Sequence, residues 1–202
     1  MNVFSTAILI VFCSLLGSAF SDTCLECLAI NSTVCEGTEV ECLGNAGCMT
    51  ASQIYKHGDK NYKSLYRSCA NTTFCGNFAS MTQDPNVTIR TYVSCCEGDN
   101  CNTNPFYIPT ENSTLNGLKC PSAYCEDTTG PCDGDLKMME CRGSETQCIN
   151  YGGHVQDPNK YQNDYSVQSC INPLGCRLNF KCLIAVEEIK NVRLECSEGV
   201  KA

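Results

Sequence analysis

The sequence predicts an all-β, secreted chain built as two tandem modules, each a set of hairpins projecting from a knot of disulfides. Three observations carry this. Twenty cysteines sit in 202 residues, a density that belongs to an oxidising compartment. Apart from Cys13 they form two sets of matching spacing, ten from Cys24 to Cys101 and nine from Cys120 to Cys196. The segments between them read as strands and turns, and nowhere is there a convincing amphipathic helix.

Composition narrows the class further. Only 43% of residues are hydrophobic and tryptophan is absent, which argues against one large apolar core. Small domains of this kind rely on disulfides, each contributing roughly 2–4 kcal/mol, largely by restricting the unfolded chain. The formal net charge of −8 speaks against nucleic acid and against anionic membrane surfaces as partners. It suits a basic protein partner, or simply solubility.

In chain order, residues 1–21 read as a signal peptide. The run Ala7-Ile8-Leu9-Ile10-Val11-Phe12-Cys13-Ser14-Leu15-Leu16 is short for a membrane span, and small residues at Gly17-Ser18-Ala19 follow it. A signal anchor is the alternative. No second apolar run follows, and the last residues lack the hydrophobic tail of a glycolipid anchor. The expectation is a protein released outside the cell, without a membrane anchor. Four glycosylation sequons fit that route, at Asn31, Asn71, Asn86 and Asn112.

The internal repeat is the sharpest feature. Cys75 to Cys95 and Cys176 to Cys196 each enclose nineteen residues, and Cys69 to Cys75 and Cys170 to Cys176 each enclose five. Offsets between matched cysteines drift only from 96 to 101, so one module occurs twice. In the first copy, a long hairpin turns at His57-Gly58-Asp59 and the next at Asp84-Pro85-Asn86. The return strand Val87 to Val93 alternates apolar and polar residues. The second copy repeats the plan, with Gln156-Asp157-Pro158-Asn159 at its long tip. Vicinal cysteines cannot comfortably pair with each other, so Cys95 reaches back up the chain while Cys96 is free to close a small loop to Cys101.

The Cys24-x2-Cys27 start, the early spacings and the terminal Cys95-Cys96-x4-Cys101-Asn102 together resemble the Ly6/uPAR three-finger family. The resemblance covers the whole mature chain and implies an all-β fold of two tandem disulfide-rich three-finger domains. Residues 22–104 form the first, 105–118 a linker, and 119–202 the second. It also implies the pairing Cys24–Cys48, Cys27–Cys35, Cys42–Cys69, Cys75–Cys95 and Cys96–Cys101, which sequence alone does not select from the many connectivities. Carried to the second copy, it gives Cys120–Cys148, Cys125–Cys132, Cys141–Cys170 and Cys176–Cys196. The second copy departs from the pattern: Cys120 and Cys125 enclose four residues, and Ser197 replaces the closing Cys-x4-Cys-Asn. Cys182 is left unpaired, as an intermolecular bridge, a free thiol or a buried inert one.

A closer resemblance lies in Asn116-Gly117-Leu118-Lys119-Cys120-Pro121 and Glu140-Cys141-Arg142-Gly143-Ser144-Glu145-Thr146-Gln147-Cys148. These runs are similar to the second domain of gamma-type phospholipase A2 inhibitors, and to amphibian sodefrin-precursor-like factors of the same two-domain plan. The first resemblance implies a secreted protein that associates stoichiometrically with a secreted phospholipase A2, with homo-oligomeric assembly as a family trait. The second implies a signalling ligand or pheromone acting on a cell-surface receptor.

No catalytic, metal or cofactor site emerges from the residues. His57 and His154, the chain's two histidines, fall in loops away from any recognisable nucleophile or acidic constellation. Cys24-x2-Cys27 has the spacing of a redox or zinc pair, yet a structural disulfide fits its compartment better. At the vicinal-cysteine run, a secreted phospholipase A2 has Cys-Cys-x-x-His-Asp, whereas here Asp99 stands in that position. Finger two of the first domain gathers Lys56, Lys60, Lys63 and Arg67, four of that domain's five basic residues, with Tyr55, Tyr62 and Tyr66 interleaved. Tyrosine with arginine is the composition of interface hot spots, and an ordinary solvated hairpin is the alternative. The linker run Pro105-Phe106-Tyr107-Ile108-Pro109 is the second candidate surface, with burial between the domains as the expectation.

Overall fold

Most strands in this chain start or end within one residue of a cysteine, and the disulfides bring those ends together. The computed structural model describes residues 22–44, 46–70, 72–132, 136–156, 162–178 and 188–202. The signal segment, Asn71, Cys182 and most of the Gln156–Asn159 tip lie outside the described residues. The first half contains β1 (Thr23–Ala29), β2 (Thr38–Glu41), β3 (Cys48–His57), β4 (Lys60–Cys69), β5 (Asn77–Asp84) and β6 (Val87–Cys96). The second contains β7 (Leu115–Glu126), β8 (Lys137–Arg142), β9 (Gln147–Gln156), β10 (Gln162–Ile171), helix α1 (Pro173–Leu178), β11 (Glu188–Glu198) and β12 (Val200–Lys201). Among the described residues no helix is long and apolar enough to cross a membrane.

The fold is all-β, two disulfide-rich three-finger units in tandem. In the first, the fingers are β1–β2, β3–β4 and β5–β6, all antiparallel. Finger two closes through Gly58-Asp59, with Gly58 at φ +60°, a conformation glycine adopts without a Cβ penalty. Its amide donates to Asn86 O at the tip of finger three, 2.8 Å away, so the two tips are tied together.

Among the described residues, nine disulfides staple the fingers: Cys24–Cys48, Cys27–Cys35, Cys42–Cys69, Cys75–Cys95 and Cys96–Cys101, then Cys120–Cys148, Cys125–Cys132, Cys141–Cys170 and Cys176–Cys196. In each half the sulfurs form a buried cluster, around Cys24, Cys42 and Cys48 and around Cys120, Cys141, Cys148 and Cys170. Asn102, fully buried, completes the first knot. Its side chain accepts from Leu25 N and donates to Leu25 O and Met49 O. The second half lacks that asparagine loop, and β12 pairs with β7 there instead, Val200 opposite Lys119 and Lys201 opposite Leu118.

One expectation is corrected and one element is added. The second half contains a short helix, the six-residue α1, which is too short to show amphipathic periodicity. Asn172 caps it, accepting from Gly175 N at 2.9 Å, and Pro173 opens it where a missing N–H has no consequence. The linker is not buried between the domains. Tyr107 is 57% exposed and packs edge-on against Tyr92 of β6, while its amide donates to Ser52 Oγ on β3.

The halves are joined by β5 and β10. Cys170 pairs with Thr82 and Ile171 with Met81, which makes the sheets of both halves continuous. Asn172 extends the junction: its amide donates to Ser80 O, its Oδ1 accepts from Ser80 N, and its Nδ2 donates to Phe78 O. One apolar cluster crosses the same line, combining Met81 and Ile89 with Ile149, Tyr151, Val167 and Ile171. Contributing to both sides of that cluster, β5 and β10 act as a shared core rather than a surface contact.

Candidate partner-binding surface

Ten rungs pair β3 with β4, from Cys48 opposite Cys69 to His57 opposite Lys60. Because side chains alternate across a strand, the seven residues expected as one surface divide between two faces. Tyr55 pairs with Tyr62, one face carrying both and, nearer the tip, His57 and Lys60. Tyr66 shares that face but sits toward the knot, packed against Ala51 and Val93. Lys56, Lys63 and Arg67 lie on the opposite face.

Arg67 is corrected out of the contact set. It is buried, and its guanidinium donates to the carbonyls of Cys35, Thr103 and Asn104, the last at 2.9 Å. An arginine so placed ties finger one and the chain after the knot to β4. Lys63 is exposed, but its ammonium stands 5.6 Å from the centre of the Phe106 ring. That cation–π contact holds the linker to the sheet.

What remains toward the tip is aromatic. The Tyr55 and Tyr62 rings stack at 5.9 Å and 24°, and Tyr55 and His57 at 6.2 Å and 25°. Partial burial, then the neighbouring Tyr62 and Asp84, raise the Tyr55 hydroxyl above its ordinary pKa. A second pair, Tyr124 and Tyr165, stacks at 5.9 Å and 24° on β7 and β10 of the other half. Burial, first, and then the hydrogen bond to Glu126 raise Tyr124, and Glu126, Tyr165 and Tyr55 act on it in the same direction. The Tyr55 and Tyr124 hydroxyls thus stay neutral at physiological pH, and they donate and accept hydrogen bonds without charge.

Sequence reasoning did not single out Tyr124, Tyr165 or His57 for this surface. The repeat gives no signal for the two tyrosines, because neither occupies the position in its own half that Tyr55 or Tyr62 holds in the first. The alternation along β3 was available for His57, two residues beyond Tyr55.

Other candidate chemistry is accounted for locally. Two sulfur clusters, Cys24/Cys42/Cys69 and Cys120/Cys141/Cys170, bring their Sγ atoms within 4.8 Å of one another. Every one of these sulfurs is in a disulfide, and a disulfide has no thiolate to give a metal. Asp99 accepts from the Thr23 amide and hydroxyl, and these bonds, the backbone one foremost, hold its carboxyl below the usual range. It therefore pins the Cys96–Cys101 loop to β1. His154 contacts Asp164 across β9 and β10 with both side chains substantially exposed. Asn31, Asn86 and Asn112 are all exposed, Asn86 at a hairpin tip and Asn112 in a turn whose Oδ1 accepts from Thr114 N.

No protein-family model matches the chain. The phospholipase A2 inhibitor 31 kDa subunit of Naja kaouthia is 23% identical over 170 residues, 83% of this chain and 88% of that protein. The phospholipase A2 inhibitor PIP of Malayopython reticulatus is 27% identical over 187 residues, 90% of this chain and 89% of that one. A gamma-type phospholipase A2 inhibitor of Gloydius brevicaudus siniticus is 27% identical over 176 residues, 83% and 82% of the two chains. Among solved structures, mouse TEX101 aligns with 88% of this chain and 97% of its own, at 17% identity and a TM-score of 0.38. Over most of its length, then, the chain is similar to phospholipase A2 inhibitors of snakes, the gamma type among them.

Proposed function

We propose that the protein is a secreted inhibitor of phospholipase A2 that acts by stoichiometric protein–protein association. The single observation that carries this is the end-to-end match to curated phospholipase A2 inhibitors, 90% of this chain against 89% of one relative. In this reading residues 1–21 are the leader removed on secretion, and Asn31, Asn71, Asn86 and Asn112 are the glycan acceptors. The fold supports a role in association, since rigid hairpins present side chains without the rearrangement that weakens binding.

Tyr55, Tyr62 and Lys60 on one face of finger two form the proposed contact, without Lys56, which the strand alternation puts on the other face, and with Tyr124 and Tyr165 as a second stacked pair. Stacked tyrosines offer large, stiff, amphipathic area at small entropic cost. The net charge of −8 complements a basic phospholipase and accelerates encounter. Inhibition follows from occlusion of the enzyme's substrate-facing surface.

The test uses the purified, glycosylated protein as bait against a panel of secreted phospholipases A2, with activity assayed in the same tubes. Capture with loss of activity is the expected result. Tyr55→Ala with Tyr62→Ala then weakens capture at least about tenfold, the scale of a hot-spot pair. A panel left fully active in excess protein overturns the inhibitor reading and leaves a ligand for a receptor.

A further inference from the structure

One ionisable side chain is buried where the two halves meet and has no part in the partner surface. Glu145, in the turn between β8 and β9, is 1% exposed. Its Oε1 accepts from Ser80 Oγ at 2.7 Å and Thr82 Oγ1 at 2.9 Å, both on β5 of the other half. Its Oε2 is buried with no hydrogen-bond partner. The backbone around it is fixed: Glu145 N donates to Arg142 O, and Asn116 Nδ2 donates to Glu145 O. The carboxyl therefore cannot swing to water without breaking the contact with β5.

We propose that the junction between the halves is a proton-controlled latch, closed while the Glu145 carboxyl carries a proton and loosened when it ionises. A neutral acid at this place leaves one O–H group without an acceptor, an uncharged loss. An ionised one leaves a charge in a site with two hydroxyl donors and, among the described residues, no cation in contact, which is far more costly.

The surrounding charges do not offset it. Arg90 on β6 approaches Glu111 of the linker, with Nε 3.5 Å from Oε2. The Glu111 Oε1 is occupied by Ser144 N and Oγ, next to Glu145 itself. Arg142 on β8 turns to Ser113 O. From the segment after β10, Asn172 brings an amide already engaged with Ser80 and Phe78. Burial, the largest influence, pushes the Glu145 carboxyl up to about 7; the two hydroxyls act against this and Glu111 adds to it. Loss of the proton thus falls in the range between acidic and ordinary extracellular conditions, and its effect falls on the strand pair that joins the halves.

Two measurements on the full-length secreted protein test the latch. The first is a carbon-13 NMR titration of the Glu145 side-chain carboxyl. A midpoint near 7 is expected; a midpoint near the ordinary glutamate value overturns the proposal and needs no variant. The second is hydrogen exchange of the Ser80 and Asn172 amides, both of which donate across the junction. Corrected for intrinsic rates, their protection falls at least about tenfold from pH 5 to pH 8, while that of the Ala51 amide in β3 changes little. In Glu145→Gln the fall is under about threefold. Parallel loss in wild type and variant, or equal loss at Ala51, contradicts it.

Discussion

Arg67 and Lys63 carry the same charge on the same face of β4, yet only one of them is surface. The Arg67 guanidinium spans three backbone carbonyls, a geometry that lysine's single ammonium cannot reproduce. Arg67→Met is expected to lower stability by about 2–3 kcal/mol, because the carbonyls are left buried beside an apolar side chain. A denaturant titration with unchanged m checks this. Glu145 gives a pH dependence of definite sign. Its ordinary value is 4.5 and its folded value about 7, so between these the folded state binds more protons than the unfolded one. Stability is therefore full below the ordinary value, declines as pH rises toward 7, and is flat above. The whole decline amounts to about 3 kcal/mol from this one group, and Glu145→Gln removes it. Neither role was legible in the sequence. A lone arginine in a basic hairpin and a glutamate in a Gly-Ser-Glu-Thr turn both read as solvated, since burial of a polar residue is set by what the rest of the chain places over it.

At the level of elements, the cysteine spacing revealed the most, because a disulfide fixes where a strand begins and ends. The two nineteen-residue intervals and the turns at His57-Gly58-Asp59 and Asp84-Pro85-Asn86 marked the longer fingers of the first half well. The β5–β10 pairing was invisible for a physical reason. It consists of two rungs between different modules, and neither periodicity nor spacing within a module encodes it. The small helix left a trace in Asn172-Pro173, an N-cap followed by a proline at the first helical position. Asn172 is expected to be the most sensitive position of the junction, since one side chain both caps α1 and clamps β5. Asn172→Ala should cost about 2–3 kcal/mol, the sum of a lost cap and lost buried hydrogen bonds. Hydrogen exchange would show the loss concentrated in β5 and β10, whereas uniform loss over both knots would contradict the assignment.

For the whole molecule, the shared apolar cluster and continuous sheet make the halves one mechanical unit, and the disulfides keep each from unravelling alone. Heating is therefore expected to give one transition at pH 5, with the β5–β10 junction separating first at pH 8. The acidic chain also predicts that association with a basic phospholipase A2 slows as salt rises while dissociation changes little, because steering acts on the encounter. Inhibition itself is the central claim, and a titration of activity tests it most directly. With enzyme fixed well above the dissociation constant, added protein should reduce phospholipase A2 activity linearly to a sharp endpoint at a fixed molar ratio. Activity that stays constant through several-fold excess, against basic and acidic secreted enzymes alike, would contradict the account.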